Sequence, residues 1–176
     1  MSVENKRREI LLLKGTIDER IAGLGQTLTE AYKDKNLLVI SLLKGSFIFT
    51  ADLVRKIDLP VRIEFMTTSS YGHDEESSGH VKVIHDINVD LTDFDVLIVD
   101  DITDSALTMT GVIEILSRRN PKSIKSCVLL DKPSRRKVEY VPDYVGFEIP
   151  DMFIVGYGLN YGDYFRNIDH VFAFVD

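Results

Sequence analysis

The densest concentration of chemistry in this chain is the run Asp100-Asp101-Ile102-Thr103-Asp104-Ser105-Ala106-Leu107-Thr108, in which three carboxylates and several hydroxyls fall within nine residues. It follows Val96-Leu97-Ile98-Val99, an apolar run of the kind found in strands buried on both faces. It precedes Met109, Val112, Ile113 and Leu116, which recur at helical spacing. The acids therefore belong between the end of a buried strand and the start of a helix. The first amides of a helix lack intrahelical partners and lie at the positive end of its dipole, so backbone donors with hydroxyl support hold a phosphate there without a lysine. Acids beside such a phosphate bind a sugar diol or a hard cation, and Asp104 is placed to exchange a proton with a substrate. The plain alternative makes Asp104 an N-cap and leaves Asp100 and Asp101 to end a strand in solvent.

The elements that position this loop are legible around it. Ile17, Ile21, Leu24, Leu28 and Ala31 predict a helix over Thr16 to Lys33, and Thr16 with Glu19 matches a capping box at its start. Leu37 to Leu43 reads as a buried strand, Lys44-Gly45-Ser46 as a loop and Phe47 to Ile57 as a helix. Further strands are expected at Arg62 to Thr68, Val81 to Ile87, Ile124 to Leu130, Val145 to Ile149 and Phe153 to Tyr157. Between two of these, Ser69 to His80 has little to bury and reads as an excursion. Strands alternating with helices predict an α/β fold, a parallel twisted sheet flanked by helices, with ligands beyond the C-terminal strand ends.

Composition narrows the function. At 176 residues, with 44% hydrophobic and 28% charged residues, the chain has globular proportions and is expected to form one domain over 1–176. A formal net charge of -7 argues against a protein that holds nucleic acid by neutralising phosphates. The apolar stretches fall short of a membrane span, no signal segment is expected, and a cytosolic protein without a membrane partner follows. Cys127 is the lone cysteine; it excludes an internal disulfide and reads as a buried, inert thiol. A Walker A sequence, a nucleophile elbow and a clustered histidine metal site are absent, and the run Gly156-Tyr157-Gly158-Leu159-Asn160-Tyr161-Gly162 misses the dinucleotide spacing by one residue.

At these residues the chain resembles the hypoxanthine-guanine phosphoribosyltransferases, whose signature is two acids, two mostly apolar residues, Asp, a hydroxyl residue, Gly, any residue and Thr. The resemblance continues, in family order, through Leu43-Lys44-Gly45-Ser46, Ser69-Ser70-Tyr71-Gly72, Leu130-Asp131-Lys132, Val145-Gly146-Phe147-Glu148-Ile149-Pro150-Asp151, Val155-Gly156-Tyr157-Gly158-Leu159 and Tyr164-Phe165-Arg166. Nearly the whole chain is covered. Two positions depart from the pattern: Ala106 stands where the signature has Gly, and Asn160 where the family has Asp. Alanine at 106 is tolerated with helical dihedrals but costs free energy at positive φ.

The resemblance implies a type I phosphoribosyltransferase fold with a small hood from the chain ends, and transfer of phosphoribosyl from phosphoribosyl pyrophosphate to hypoxanthine or guanine. It implies that Asp104 is the general base at purine N7. Asp100 and Asp101 would serve the ribose hydroxyls and the associated magnesium, with Asn160 at a further metal contact. The amides of Ser105, Ala106, Leu107 and Thr108 would hold the 5'-phosphate, and Lys44, Gly45 and Arg166 the pyrophosphate. Lys132 would donate to the 6-oxo group, which disfavours adenine because its 6-amino group presents donors. Phe153 would stack on the purine, and backbone carbonyls near Ile154 and Asn160 would accept from a guanine amino group. Taken singly, Lys132 reads as a solvated loop lysine and Phe153 as core packing. The segment Ser69 to His80 would be the family's closing loop, against a plain surface loop. A homodimer or homotetramer is implied as well. The competing readings are a regulatory, nucleic-acid-binding relative on the same fold, disfavoured by the charge and by retention of Asp104 and Lys132, and a transferase for xanthine.

Overall fold

The computed structural model describes residues 6–70 and 81–175, in a six-stranded sheet, a three-stranded sheet and three helices. In chain order the strands are β1 (Arg7–Leu12), β2 (Leu37–Leu43), β3 (Arg62–Ser70), β4 (Val81–His85), β5 (Asp95–Thr103), β6 (Ser123–Asp131), β7 (Tyr144–Glu148), β8 (Ile154–Val155) and β9 (Val171–Val175). The helices are α1 (Lys14–Ala31), α2 (Phe47–Val54) and α3 (Leu107–Ser117), with a 3₁₀ turn at Pro133–Arg135.

The large sheet has the order β4-β3-β2-β5-β6-β7, parallel throughout except for the antiparallel β3–β4 pair. Alternate residues of its central strands feed two apolar layers. Val39, Leu97, Val99 and Leu129 face α1 and α2, whereas Leu38, Ile40, Val96, Ile98 and Val128 share a layer with Met109, Val112 and Leu116 of α3. Burial on both faces is why β2, β5 and β6 read as unbroken apolar runs instead of alternating ones.

This order decides where a ligand goes. From β2 the chain crosses through α2 to β3 on one side, and from β5 it crosses through α3 to β6 on the other. The reversal lies between β2 and β5, where neighbouring crossovers diverge and leave a crevice beyond the C-terminal strand ends. Ser41 pairs with Val99, so the segments that leave these two strands emerge side by side. They are Lys44-Gly45 and Asp100 to Thr108.

The small antiparallel sheet, β1-β9-β8, joins the two ends of the chain, as the hood expectation required. Aromatic edges consolidate it: Phe172 lies 5.3 Å from Phe174 and 6.2 Å from Phe165, and Arg8 sits 5.1 Å and 5.2 Å over Phe165 and Phe172. Tyr157, after β8, donates its hydroxyl to Asp52 of α2 and ties this sheet to the large one.

Several sequence expectations are corrected in detail. The first helix begins at Lys14 with Leu13 at its cap and no side-chain cap hydrogen bond, so Thr16 lies inside the helix and the Thr16/Glu19 capping box does not form. In its place Lys14 donates to Asp18 across one turn, at 2.5 Å. The helix from Phe47 ends at Val54 instead of Ile57, the strand from Phe153 to Tyr157 contracts to Ile154–Val155, and β4 ends at His85. Of the expected excursion Ser69 to His80, the first two residues extend β3 and residues 71–80 lie outside those described.

Candidate active site

The loop between β5 and α3 encloses a cavity of about 200 Å³ lined by Asp100, Ile102, Thr103, Asp104, Ser105, Ala106, Thr108 and Met109. Asp100 and Asp101 are the sixth and seventh residues of β5, not an extension beyond it. Neither ends a strand in open solvent, since both are half-buried. Each carboxylate accepts from the amide of the next residue, at 3.0 Å and 2.9 Å. The two are not equivalent. Asp100 lines the cavity, whereas a Cβ added at Gly45 would lie 1.9 Å from an Asp101 oxygen, so Asp101 packs directly against the loop that leaves β2. Burial pushes the Asp100 carboxyl well above the usual carboxylate range, and the adjacent Asp101 charge adds to it. Burial raises Asp101 too, with the charge of Arg166 among the effects that oppose it. Two such groups side by side favour a bound cation.

Asp104 is not an N-cap. The helix starts at Leu107, and the cap position is Ala106 in the left-handed region, with φ 67° and ψ 3°. The glycine of the signature therefore has a backbone reason, and alanine holds the same dihedrals here at a cost of about 1–2 kcal/mol. This turn leaves the amides of Asp104, Ser105 and Ala106 without a hydrogen-bond partner among the described residues. Leu107 donates weakly to Ser105 Oγ at 3.3 Å, and the first helical bond of α3 runs from Thr110 to Ala106. Successive unpaired amides leading into a helix N-terminus form an anion cradle.

Lys132 belongs to the same site. Only 6% of it is exposed, which overturns the solvated-lysine reading, and its Nζ lies 3.6 Å from Asp104 Oδ1. That oxygen is shielded from solvent and lacks a hydrogen-bond partner, as does the buried Thr103 Oγ1 on the cavity wall. Unmet polar atoms in a cavity mark where a ligand supplies the missing contacts. Phe153 is the converse case. It is 60% exposed and meets Tyr161 in a T-shaped contact with ring centroids 5.7 Å apart, so it is not core packing.

On the far side of the crevice the Leu43–Lys44 peptide is cis, and the loop beyond it is pinned by a buried hydroxyl cluster, Ser41 to Ser46 at 2.8 Å and Ser41 to Thr50 at 2.7 Å. Lys44 itself is exposed. The carbonyl of Gly45 reaches the turn after β8, because a Cβ at Gly158, which has φ 98°, would stand 2.1 Å from it. Arg166 donates to the carbonyl of Gly158 at 2.7 Å. The contacts therefore form a chain through Asp101, Gly45, Gly158 and Arg166. Ile154 is buried in β8, and Asn160 donates its side-chain amide to the carbonyl of Gly162 in a turn of the hood. No described group of three or more His, Cys, Asp and Glu could hold a metal unaided.

The sequence reading left out two groups that this geometry brings in: the Thr103 hydroxyl, and Arg136, which fastens the carbonyls behind the loop. Thr103 stands inside the signature and was open to discovery there. Arg136 lies in Arg135-Arg136-Lys137, whose composition reads as a solvated basic run.

Comparison with known proteins identifies the family of the chain. Residues 12–162 match the phosphoribosyl transferase domain family. The chain is 44% identical to the hypoxanthine-guanine phosphoribosyltransferase of Aquifex aeolicus, over 99% of this chain and 98% of that one. The chain belongs to the hypoxanthine-guanine phosphoribosyltransferase family. The hypoxanthine phosphoribosyltransferase of Haemophilus influenzae is 48% identical, with 93% of each chain covered. A crystal structure of a hypoxanthine phosphoribosyltransferase from Staphylococcus aureus superposes with a TM-score of 0.93 at 39% identity, over 98% of this chain and 94% of that one. The parallel sheet with its flanking helices is therefore the phosphoribosyltransferase α/β fold.

Proposed function

We propose that this protein transfers a phosphoribosyl group from phosphoribosyl pyrophosphate to the 6-oxopurines hypoxanthine and guanine, in purine salvage. The observation that carries the reading is the Asp104–Lys132 pair, 3.6 Å apart, beside unpaired amides at the start of α3. A 6-oxopurine presents on one edge an acceptor at O6 and a proton at N7. A carboxylate and an ammonium at this separation complement that edge, and adenine, with an amino group at position 6, meets the lysine donor with donors of its own.

In the transfer, the bond between purine N9 and the anomeric carbon forms as the bond to pyrophosphate breaks. The N7 proton passes to Asp104, and positive charge develops on the ribose. The amides of Ser105, Ala106, Leu107 and Thr108 hold the 5'-phosphate, so the sugar is fixed at one end while its other end reacts. Asp100 holds ribose hydroxyls and, with Asp101, supplies negative charge beside the developing cation. Lys44, Gly45 and Arg166 receive the pyrophosphate, and the contacts from Gly45 to Gly158 and from Gly158 to Arg166 keep that side of the crevice in register with the hood. Phe153 stacks on the purine, and the carbonyls of Ile154 and Asn160 accept from a guanine amino group.

Magnesium fits the donor set. Two half-buried carboxylates without a third acidic partner among the described residues suit an ion that keeps waters and takes its remaining ligands from substrate oxygens. Asp100 and Asp101 would hold it, and when bound it neutralises the leaving pyrophosphate. Asn160 offers a neutral carbonyl oxygen at most, because its amide nitrogen is committed to Gly162. The same reading includes a homodimer or homotetramer, a cytoplasmic setting, and neither nucleic acid nor membrane as partner. A net charge of -7 supports the exclusion of nucleic acid.

The test is to incubate the protein with phosphoribosyl pyrophosphate, magnesium and each of hypoxanthine, guanine, xanthine and adenine, and to identify the nucleotides by chromatography. IMP or GMP is expected. XMP as the main product would move the assignment to xanthine, and inactivity with every base would refute the enzyme reading.

A further inference from the structure

Beside the loop, one largely buried side chain gathers its backbone. Arg136 follows the 3₁₀ turn, and its side chain is 15% exposed. Its Nη1 donates to the carbonyls of Asp104 at 2.8 Å, Thr103 at 3.2 Å and, at the limit, Lys132 at 3.5 Å. Nε donates to the carbonyl of Tyr140 at 3.0 Å, and Nη2 pairs with the buried carboxylate of Asp131. Two backbone bonds run in parallel with it, from Lys132 to Thr103 and from Lys137 to Ser105, both 3.0 Å. Three consecutive carbonyls, those of Thr103, Asp104 and Ser105, are thus drawn toward the 132–137 segment.

Peptide planarity gives this a consequence at the site. In a trans peptide the C=O and the N–H of one unit point in opposite directions. Drawing those three carbonyls to one side turns the N–H groups of Asp104, Ser105 and Ala106 to the other, and these are the amides left without partners. The same guanidinium touches the backbone of Asp104 and of Lys132, so one rigid fork sets the separation of the two side chains proposed to read the purine edge.

We infer that Arg136 is a positioning residue for the transfer reaction, which orients the anion-binding amides of the loop and holds Asp104 and Lys132 at their working separation. This rests on the purine-transfer reading for its effect on turnover, but not for its effect on the amides. A lysine at 136 keeps the charge facing Asp131 and loses the planar fork that spans several carbonyls. Small misplacements of reacting groups cost on the order of a hundred-fold in rate, so Arg136→Lys is expected to lower kcat by roughly ten- to a hundred-fold.

The experiment compares wild type, Arg136→Lys and Asp131→Asn by circular dichroism, by calorimetric titration with ribose 5-phosphate, and by kcat and KM for hypoxanthine and phosphoribosyl pyrophosphate. Arg136→Lys is expected to keep a native spectrum, to bind ribose 5-phosphate several-fold more weakly and to lose turnover as stated. If kcat and ribose 5-phosphate affinity per folded molecule equal those of wild type, the inference is overturned, because a merely structural arginine would change only the folded fraction. Should Arg136→Lys fail to fold, Asp131→Asn decides: it removes the partner that fixes the fork and should weaken ribose 5-phosphate binding, and unchanged binding overturns the proposal. A wild type that binds ribose 5-phosphate but transfers nothing refutes the purine reading alone, and the titration still judges Arg136.

Discussion

Replacing Lys132 with methionine separates recognition of the base from everything else the site does. The ammonium is removed from a position only 6% exposed, 3.6 Å from Asp104, while the length and most of the packing of the side chain are kept. Because the position is buried, water does not readily take over as donor to the purine 6-oxo group. A hydrogen bond to a charged partner contributes about 1.5–3 kcal/mol. At about 1.4 kcal/mol per factor of ten, kcat/KM for hypoxanthine should fall roughly ten- to a hundred-fold. The 5'-phosphate and pyrophosphate contacts do not involve Lys132, so KM for phosphoribosyl pyrophosphate should stay within about two-fold by this reasoning. Stability should change little, since the desolvation of an ammonium is relieved while Asp104, its side chain 43% exposed, loses a charged neighbour but keeps contact with solvent. The assay is steady-state kinetics with each substrate varied in turn, beside a thermal melt. Equal losses for both substrates with a lowered melting temperature would refute the reasoning, as would unchanged use of hypoxanthine.

Asp104→Asn should retain phosphoribosyl pyrophosphate binding and lose on the order of 10²- to 10⁴-fold in kcat, the range for a general acid–base group; turnover near wild type would remove Asp104 from that role. Asn160→Asp should lower the magnesium concentration for half-maximal rate, because a carboxylate holds magnesium better than a neutral carbonyl oxygen. The same change deletes the amide that donates to Gly162 and should cost about 0.5–1.5 kcal/mol of stability, visible in a denaturant titration; a magnesium curve that does not shift would show that position 160 is no metal ligand. Cys127 is buried, and burial pushes its thiol up to about 12. It should stay protonated at neutral pH and react with a thiol reagent only after denaturation, whereas rapid labelling of native protein would contradict its placement.

The parts of the fold that the sequence revealed are those where one physical demand dominates. Val96 to Val99 and Leu37 to Leu43 must be apolar on both faces because the sheet is covered on both, and α1 shows its buried stripe at Ile17, Ile21, Leu24 and Leu28. The start of α1 was hidden because Leu13, an exposed residue with no capping side chain, holds the cap position. The chain ends carried weak strand signals. Arg7, Arg8 and Glu9 are exposed, and β1 is a strand only because β9 pairs with it from the other end of the chain. At the site, the acids and hydroxyls were visible from their spacing, but the conformation of Ala106 was not, since alanine occupies helical and left-handed positions without a change in composition. Burial separated the two remaining readings in opposite directions, inward for Lys132 and outward for Phe153.

The central claim is that the Asp104–Lys132 pair selects a 6-oxopurine edge for phosphoribosyl transfer, and the ratio of kcat/KM for hypoxanthine to that for adenine, measured on the wild-type protein with saturating phosphoribosyl pyrophosphate and magnesium, tests it most directly. A site built to donate to O6 and accept from N7 should favour hypoxanthine by on the order of 10⁴-fold, as sites with dedicated buried hydrogen-bonding groups do. Comparable values for the two bases, or a preference for adenine, would contradict the account.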